Sequence, residues 1–275
     1  MESIAARAGG ALHTFAAEFL AFGLKQAASC LFAGGFFAIL VVSTWLPPGP
    51  LPRYDLILAA ALALQAVLVA ARLETRDELK TICLFHALGF ALEVFKTHPA
   101  IGSWSYPEPG WTKLFGVPLY SGFMYAAVAS YMIQSWRHLD LELVHAPNAR
   151  ASALVAGAIY VNFFTHHWLP DLRWPLACVL VALFARTRVR FTPWRMRCSM
   201  PLALSFVLIG FFVWLAENIA TYFGAWLYPN QHGGWRIVHA GKITSWILLA
   251  SITFVVVADL KHYRAQRQSK RVAPA

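Results

Sequence analysis

Residues 93–111 read EVFKTHPAIGSWSYPEPGW, and they lead from one apolar segment through a polar loop to the next apolar segment. Residues 217–235, ENIATYFGAWLYPNQHGGW, repeat the pattern, because both stretches contain Glu, then Gly-x-Trp-x-Tyr-Pro, then Gly-Trp. The Trp, Tyr and Pro recur at a spacing of 122 residues, and the Glu and Gly-Trp at a spacing of 124. Two matched loops indicate an internal duplication, so we predict a chain built from two related halves.

The composition favours a membrane protein. Of the 275 residues, 59% are hydrophobic and only 13% are charged, whereas soluble domains carry about 25% charged residues. The charges lie in the connecting segments and leave long apolar runs between them, as in multi-pass membrane proteins. The formal net charge of +10 is then best explained by Lys and Arg in cytoplasmic loops. Membrane lipids are the predicted partners, nucleic acid is not, and no oligomeric state is predicted.

Eight apolar segments, most of them near the ~20 residues that cross about 30 Å of hydrocarbon, predict an all-α transmembrane bundle. They lie at about 27–46, 54–72, 80–97, 115–136, 152–168, 174–187, 200–219 and 239–260. Before them, residues 1–26 place Phe15, Phe19 and Phe22 at helical spacing, which predicts an amphipathic helix at the membrane interface. After them, residues 261–275 form a basic cytoplasmic tail.

The spans divide into two halves of four. A shift of about 122 residues places the first four spans on the last four, so residues 27–138 and 150–260 are the predicted repeats within one transmembrane domain, 27–260. Four helices separate the matched loops, and an even number keeps both halves in the same sense across the bilayer. The prediction is therefore a parallel 4+4 repeat, related by an axis along the membrane normal.

The distribution of Lys and Arg predicts the orientation. With the N-terminus inside, 17 of these residues lie on the inner side and 6 on the outer side. Positive residues are enriched in cytoplasmic loops. We therefore predict a multi-pass protein of the inner (plasma) membrane with both termini in the cytoplasm and both matched loops outside.

Two carboxyls lie at equivalent membrane depth. Glu93 and Glu217 each fall about one turn inside the outer end of a span, where an ionisable group is costly unless it is paired, neutral or facing water. They are the predicted catalytic residues, together with His86, which lies two helical turns below Glu93 and could relay protons. The alternatives are a structural carboxyl that ties its helix to the following loop, and a satisfied core histidine.

The remaining candidates are aromatic or polar residues near these carboxyls, and they are predicted to bind a substrate. They are Trp104, Tyr106, Tyr120, Trp226, Tyr228, Asn218 and Lys242. An aromatic belt or hydroxyls that join helices would also explain many of them. No metal and no cofactor is predicted: His166 and His167 are adjacent and point apart on a helix, and nucleotide-binding and histidine-box motifs are absent.

The segments GSWSYPE, FGVPLYSGFMY and ENIATYFGAWLYPNQ resemble those of the YoaT-like bacterial membrane proteins grouped as domain of unknown function 817. That resemblance covers nearly the whole chain and implies architecture but no activity. A more distant likeness, over about a quarter of the chain, is to integral-membrane lycopene cyclases and carotenoid hydratases, which use membrane carboxyls for acid–base chemistry on isoprenoids. It rests on Glu93, Trp104, Tyr106, Gly116, Val117, Pro118, Glu217, Trp226 and Tyr228. The cyclases follow their turn with paired acidic residues, whereas Leu119 and Tyr120 follow it here.

These observations predict an acid–base enzyme acting on a lipid or isoprenoid in the outer half of the membrane. Glu93 would donate a proton, Glu217 would be the second acid or a cation stabiliser, and Trp104 and Trp226 would flank an apolar chain. A small-solute transporter and a non-catalytic scaffold or assembly factor are the alternatives. A cavity shared by both glutamates would favour the enzyme, and glutamates buried in salt bridges would favour the scaffold.

Overall fold

The computed structural model describes residues 2–47 and 49–272, so the last three residues of the predicted tail lie outside it. Nine helices account for most of these residues. They are α1 Glu2–Ser29, α2 Leu31–Val42, α3 Arg53–Ala70, α4 Arg76–Thr97, α5 Gly122–His138, α6 Ala149–Thr165, α7 Arg173–Phe184, α8 Leu202–Tyr222 and α9 Lys242–Val272. The mainly helical fold is confirmed, and a helix lies at each of the eight predicted segments.

Short strands were not predicted, and they occupy the connections. β1 Lys113–Leu114 and β2 Val117–Pro118 form a hairpin before α5. β3 Glu142–Val144, β4 Arg188–Phe191 and β5 Cys198–Pro201 form a three-stranded antiparallel sheet at the opposite end of the bundle. The carboxylate of Glu18 on α1 accepts three backbone N–H bonds from the turn between β4 and β5, which fixes this sheet to the first helix.

The prediction of eight full spans is not supported. In the part of the chain that the structure describes, α3, α8 and the segment Lys242–Asp259 of α9 are long and apolar enough to cross a membrane. A fourth span results if His13–Ser29 and α2 are counted together, although they meet at an angle of 65°.

Several of the other helices are too short or too charged to cross a membrane. α2 and α7 have 12 residues each, which reach only about 18 Å. α4 has 22 residues but too many charges to cross a membrane by composition, since three of them fill its first turn, where Thr75 and Glu78 form a capping box. The 4+4 repeat of full spans therefore has no support from these helices.

Helix pairs in the two parts of the chain approach closely at a glycine. α4 packs along α5, and α8 packs along α9. A Cβ at Gly89 would lie 2.3 Å from the ring of Tyr125, and a Cβ at Gly210 would lie 2.6 Å from Ile247. Each pair can reach its observed separation only because the glycine has no side chain.

The two matched loops, which follow α4 and α8, are joined to each other. Ser105 and Leu227 form an antiparallel β-bridge with N···O distances of 2.9 and 3.0 Å. Arg53 of α3 adds a second link, since its guanidinium pairs with Glu108 in the first loop and donates to the carbonyls of Phe223 and Gly224 in the second. The loops therefore form one unit over the ends of α4, α5, α8 and α9, and that unit positions the site.

Candidate functional site

Glu93 is a buried carboxyl held by three donors. Its side chain is 1% exposed. Oε2 accepts from Trp104 Nε1 and Tyr106 OH, both at 2.7 Å, and Oε1 accepts from Tyr125 OH at 2.8 Å. Two donors come from the matched loop and one from α5, so this carboxyl joins its own helix to both of them. Such an arrangement satisfies a buried carboxyl without an ion pair.

Glu217 is held in a related way. Its carboxyl accepts from Tyr228 OH in the second loop and from Trp246 Nε1 in α9, the latter at 2.8 Å. Tyr228 stands in the second loop where Tyr106 stands in the first. Glu217 has two donors where Glu93 has three, and it lines a cavity, whereas the side chain of Glu93 does not.

A cavity of about 130 Å³ lies between α4, α8, α9 and the matched loops. We call it the loop-end cavity. Its lining combines aromatic rings with cationic and hydroxyl groups: Leu92, Lys96, Ser103, Trp104, Tyr125, Phe163, His166, Arg173, Glu217, Trp226, Tyr228, Lys242, Ser245, Trp246 and Leu249.

Two aromatic contacts link the surroundings of the two carboxyls. Trp104, a donor to Glu93, lies edge-on to Tyr228, a donor to Glu217, with ring centroids 6.0 Å apart. Tyr125, a second donor to Glu93, and Trp246, a second donor to Glu217, have ring centroids 6.4 Å apart with the rings tilted by 47°. The two carboxyls therefore share one aromatic wall, with Glu217 on its cavity side and Glu93 behind Trp104 and Tyr125.

Lys242, at the start of α9, enters the cavity between two rings. Its Nζ lies 4.9 Å from the centroid of Trp104 and 4.6 Å from that of Tyr228. These are cation–π distances. The substrate-binding prediction for Lys242, Trp104, Trp226 and Tyr228 is not tested by their position, but all four side chains line this one cavity.

Lys96 contacts two histidines. Its Nζ lies 2.8 Å from His167 Nε2 and 3.3 Å from His166 Nε2. Burial, with the nearby Lys96 charge, lowers the pKa of His167 to about 4, so this ring is neutral at pH 7 and accepts the hydrogen bond. His166 Nδ1 lies 2.8 Å from the carbonyl of Asn162, which places the proton on Nδ1 and leaves Nε2 to accept.

The expectation that adjacent histidines point apart is wrong here. α6 ends at Thr165, so the backbone leaves the helix at His166 and both imidazoles reach the same point. Among the side chains that the structure describes, no group of three metal-ligating residues occurs, and His166 and His167 contact Lys96. Lys96 and Glu93 are three residues apart on α4, but no ion pair between them is among the ion pairs of the described residues.

Arg173 is the third cation of the cavity. It pairs with Asp171 at 2.6 Å, and its Nη1 lies 3.3 Å from Ser245 Oγ of α9. Sequence reasoning missed Arg173, Lys96 and Trp246 as site residues. The one available signal was that Lys96 and Arg173 belong to the six basic residues on the predicted outer side.

Five of the predicted site residues lie outside the lining of the cavity: Glu93 and its donor Tyr106, described above, and His86, Tyr120 and Asn218. His86 packs against Phe123 at 4.6 Å, and its buried Nδ1 has no hydrogen-bond partner. Tyr120 is fully buried and donates to the carbonyl of Ala225. Asn218 bonds to the backbone of Trp214 and Val238. In the described structure, none of these contacts of His86, Tyr120 and Asn218 reaches Glu93 or Glu217.

Comparison with known proteins identifies relatives. A family model described as "Protein of unknown function (DUF817)" matches residues 18–254. "Uncharacterized protein YoaT" of Bacillus subtilis (strain 168) is 54% identical over 249 residues, which cover 90% of this chain and 94% of that protein. A crystal structure of a cross-linked MvINS trimer aligns with a TM-score of 0.37 and 17% identity, over 65% of this chain and 94% of the other. None of these three matches is a lycopene cyclase or a carotenoid hydratase.

Proposed function

The chain belongs to the DUF817 family, whose description assigns no function, and we propose a function from the site itself. The protein is an integral protein of the inner (plasma) membrane that performs acid–base chemistry on a lipid or isoprenoid. The reaction takes place in the loop-end cavity, in the outer half of the bilayer. The observation that carries this proposal is the position of Glu217, a carboxyl that faces a cavity beside Lys242.

Exposed apolar side chains support the membrane location. Large hydrophobic residues are exposed on helices of every length: Leu62 and Val67 of α3, Leu154 and Val161 of α6, Val179 and Val181 of α7, and Phe211, Phe212 and Leu215 of α8. In water such surfaces would favour aggregation, whereas in hydrocarbon they are stable. In this proposal the shorter helices α2, α5, α6 and α7 also lie in the membrane around the longer ones.

Two observations support two related halves, α2–α5 and α6–α9. The bridged residues Ser105 and Leu227 are 122 positions apart, which is the spacing of the matched tryptophans. Tyr106 and Tyr228 each donate to the glutamate of their own half. Antiparallel pairing of equivalent residues is the arrangement expected beside a two-fold axis.

Glu217 is the proposed proton donor and acceptor. Tyr228 and Trp246 fix its carboxyl by two hydrogen bonds, which positions it for transfer to or from a substrate in the cavity. Trp104 and Trp226 line the same space and would contact an apolar chain. Glu93 acts as a positioning residue, because its three donors include Trp104 and Tyr125 of the cavity wall.

The test compares membrane lipid extracts by mass spectrometry in a deletion strain complemented with wild-type protein, Glu217→Gln or Glu142→Gln. Glu142 is an exposed carboxyl at the opposite end of the bundle, so its variant is the matched control. We expect the deletion to change the extract, and Glu217→Gln to restore it no better than an empty vector. An extract that the deletion leaves unchanged refutes a lipid substrate, and full restoration by Glu217→Gln refutes the role of this carboxyl.

The alternatives make different predictions. A transporter would produce solute flux in proteoliposomes, and Glu217→Gln would abolish that flux. Lipid extracts of the deletion strain would then be unchanged. A scaffold would need no cavity, and the ion pairs of the described residues include neither Glu93 nor Glu217.

The orientation is tested with C-terminal fusions: green fluorescent protein should fluoresce, and alkaline phosphatase should be inactive. An active phosphatase fusion would reverse the proposed topology.

A further inference from the structure

We propose that the loop-end cavity binds an amphiphile with an anionic head group, a phosphate or a carboxylate. The head lies among Lys96, Arg173 and Lys242, and the apolar chain follows the cleft between α4, α5, α6 and α9. This inference rests on the proposed function, since it names the substrate class of the same site. It follows from the charge of the lining and from the apolar cleft that continues it.

The first observation is an excess of positive charge. Three cationic side chains line the cavity, and Glu217 is the one carboxylate among the lining residues. Within the described residues, no carboxylate oxygen lies within 4.0 Å of the Nζ of Lys96 or Lys242. Lys96 is 5% exposed and contacts two imidazoles. Holding a buried Lys side chain in its charged form without an anion is costly, and a bound oxyanion would lower that cost.

The second observation is the set of hydrogen-bond donors around the same space. Ser103 of the first matched loop and Ser245 of α9 present hydroxyls to the cavity, and Arg173 lies 3.3 Å from the Ser245 hydroxyl. A guanidinium, two ammonium groups and two hydroxyls suit the several oxygens of a phosphate or carboxylate. Asp171 offsets part of the charge of Arg173 and the nearby Glu217 offsets part of that of Lys242, so the three basic groups exceed these two carboxylates by one charge when all five are ionised.

The third observation is an apolar continuation. A narrow cleft of about 20 Å³ shares Leu92, Tyr125 and Leu249 with the loop-end cavity. Its other lining residues are mainly apolar, and they include Phe85, Gly89 and Ile252. A charged chamber that opens into an apolar cleft fits a ligand with both characters. A free anion would use the chamber alone.

The test measures binding to the full-length protein purified in a neutral detergent. The ligands are dodecyl phosphate, dodecanoate, dodecanol and inorganic phosphate, and the readout is tryptophan fluorescence checked by calorimetry. We expect saturable binding of one of the two anionic amphiphiles, with dodecanol and inorganic phosphate each at least about tenfold weaker. Dodecanol binding as tightly as both anions would overturn the head-group assignment. Inorganic phosphate binding as tightly would overturn the amphiphile and leave a soluble anion.

Variants then locate the head group. Lys96→Gln and Lys242→Gln should each weaken the anionic amphiphile about tenfold, and Lys242→Arg should keep most of the affinity. Arg236→Gln is the matched control, because Arg236 is an exposed cation in the second matched loop and does not line the cavity. Wild-type affinity in both lysine variants, with normal thermal midpoints, would refute the assignment. The four-ligand comparison decides the question on wild-type protein alone if the variants do not fold.

Binding and chemistry can be separated with Glu217→Gln. This variant removes the one lining carboxylate, so the anionic amphiphile should bind at least as tightly as in the wild type. If binding is found and lipid extracts never depend on Glu217, the acid–base function fails and the ligand class stands. If no anionic amphiphile binds but the extracts depend on Glu217, the ligand class fails and the function stands.

Discussion

The three hydrogen-bond donors around Glu93 predict that the effect of Tyr106→Phe on the free energy of unfolding depends on whether Glu93 is present. Tyr106→Phe alone removes one hydrogen bond of 2.7 Å to a buried carboxyl, which should lower the free energy of unfolding by about 1–3 kcal/mol. Glu93→Leu alone leaves Trp104, Tyr106 and Tyr125 without their acceptor, at about 1–3 kcal/mol for each unsatisfied group. With Glu93→Leu already present, Tyr106→Phe removes an orphaned hydroxyl, so it should be neutral or stabilising.

The assay is unfolding in mixed micelles by titration with a denaturing detergent, followed by tryptophan fluorescence. The coupling energy of the cycle should be about 1–3 kcal/mol. Tyr160→Phe is the matched control, because its hydroxyl donates to the carbonyl of Leu88 at 3.2 Å and not to Glu93, so its effect should add to that of Glu93→Leu. Equal losses for Tyr106→Phe in both backgrounds would refute the view that Glu93 organises its loop through Tyr106.

Two further predictions concern the same region. The pKa of His167 is lowered from 6.5 to about 4 in the folded protein, so the unfolded state binds more protons between these values and stability should fall as the pH falls from about 6.5 to 4. In His167→Gln, thermal midpoints across this range should fall less, and an unchanged slope would contradict a partly buried ring that stays neutral. Gly89→Ala places a Cβ 2.3 Å from the Tyr125 ring and should lower the thermal midpoint, whereas Gly34→Ala, whose Cβ meets nothing within 4 Å, should not; equal midpoints would contradict the close approach of α4 and α5.

Sequence patterns predicted the helices well and their lengths less well. Runs of apolar residues placed a helix at each of the eight segments, because backbone groups in such a run are best satisfied within a helix. The bend of 65° between His13–Ser29 and α2 was missed, as were strands β3–β5. The sheet involves distant contacts: Glu18 meets the β4–β5 turn, and its partner Arg195 is 177 positions away.

By itself the sequence determined a helical, strongly apolar chain with two matched loops, each preceded by a glutamate, because spacing and composition are properties of the chain alone. Only the tertiary structure decided which groups surround those glutamates. Tyr125 reaches Glu93 across 32 positions, and His167 reaches Lys96 across 71. Helical periodicity indicates which residues share a face, but not the rotation of that face toward a neighbouring helix. That rotation placed Glu217 in the cavity, left Glu93 behind its wall and gathered three cations around the same space.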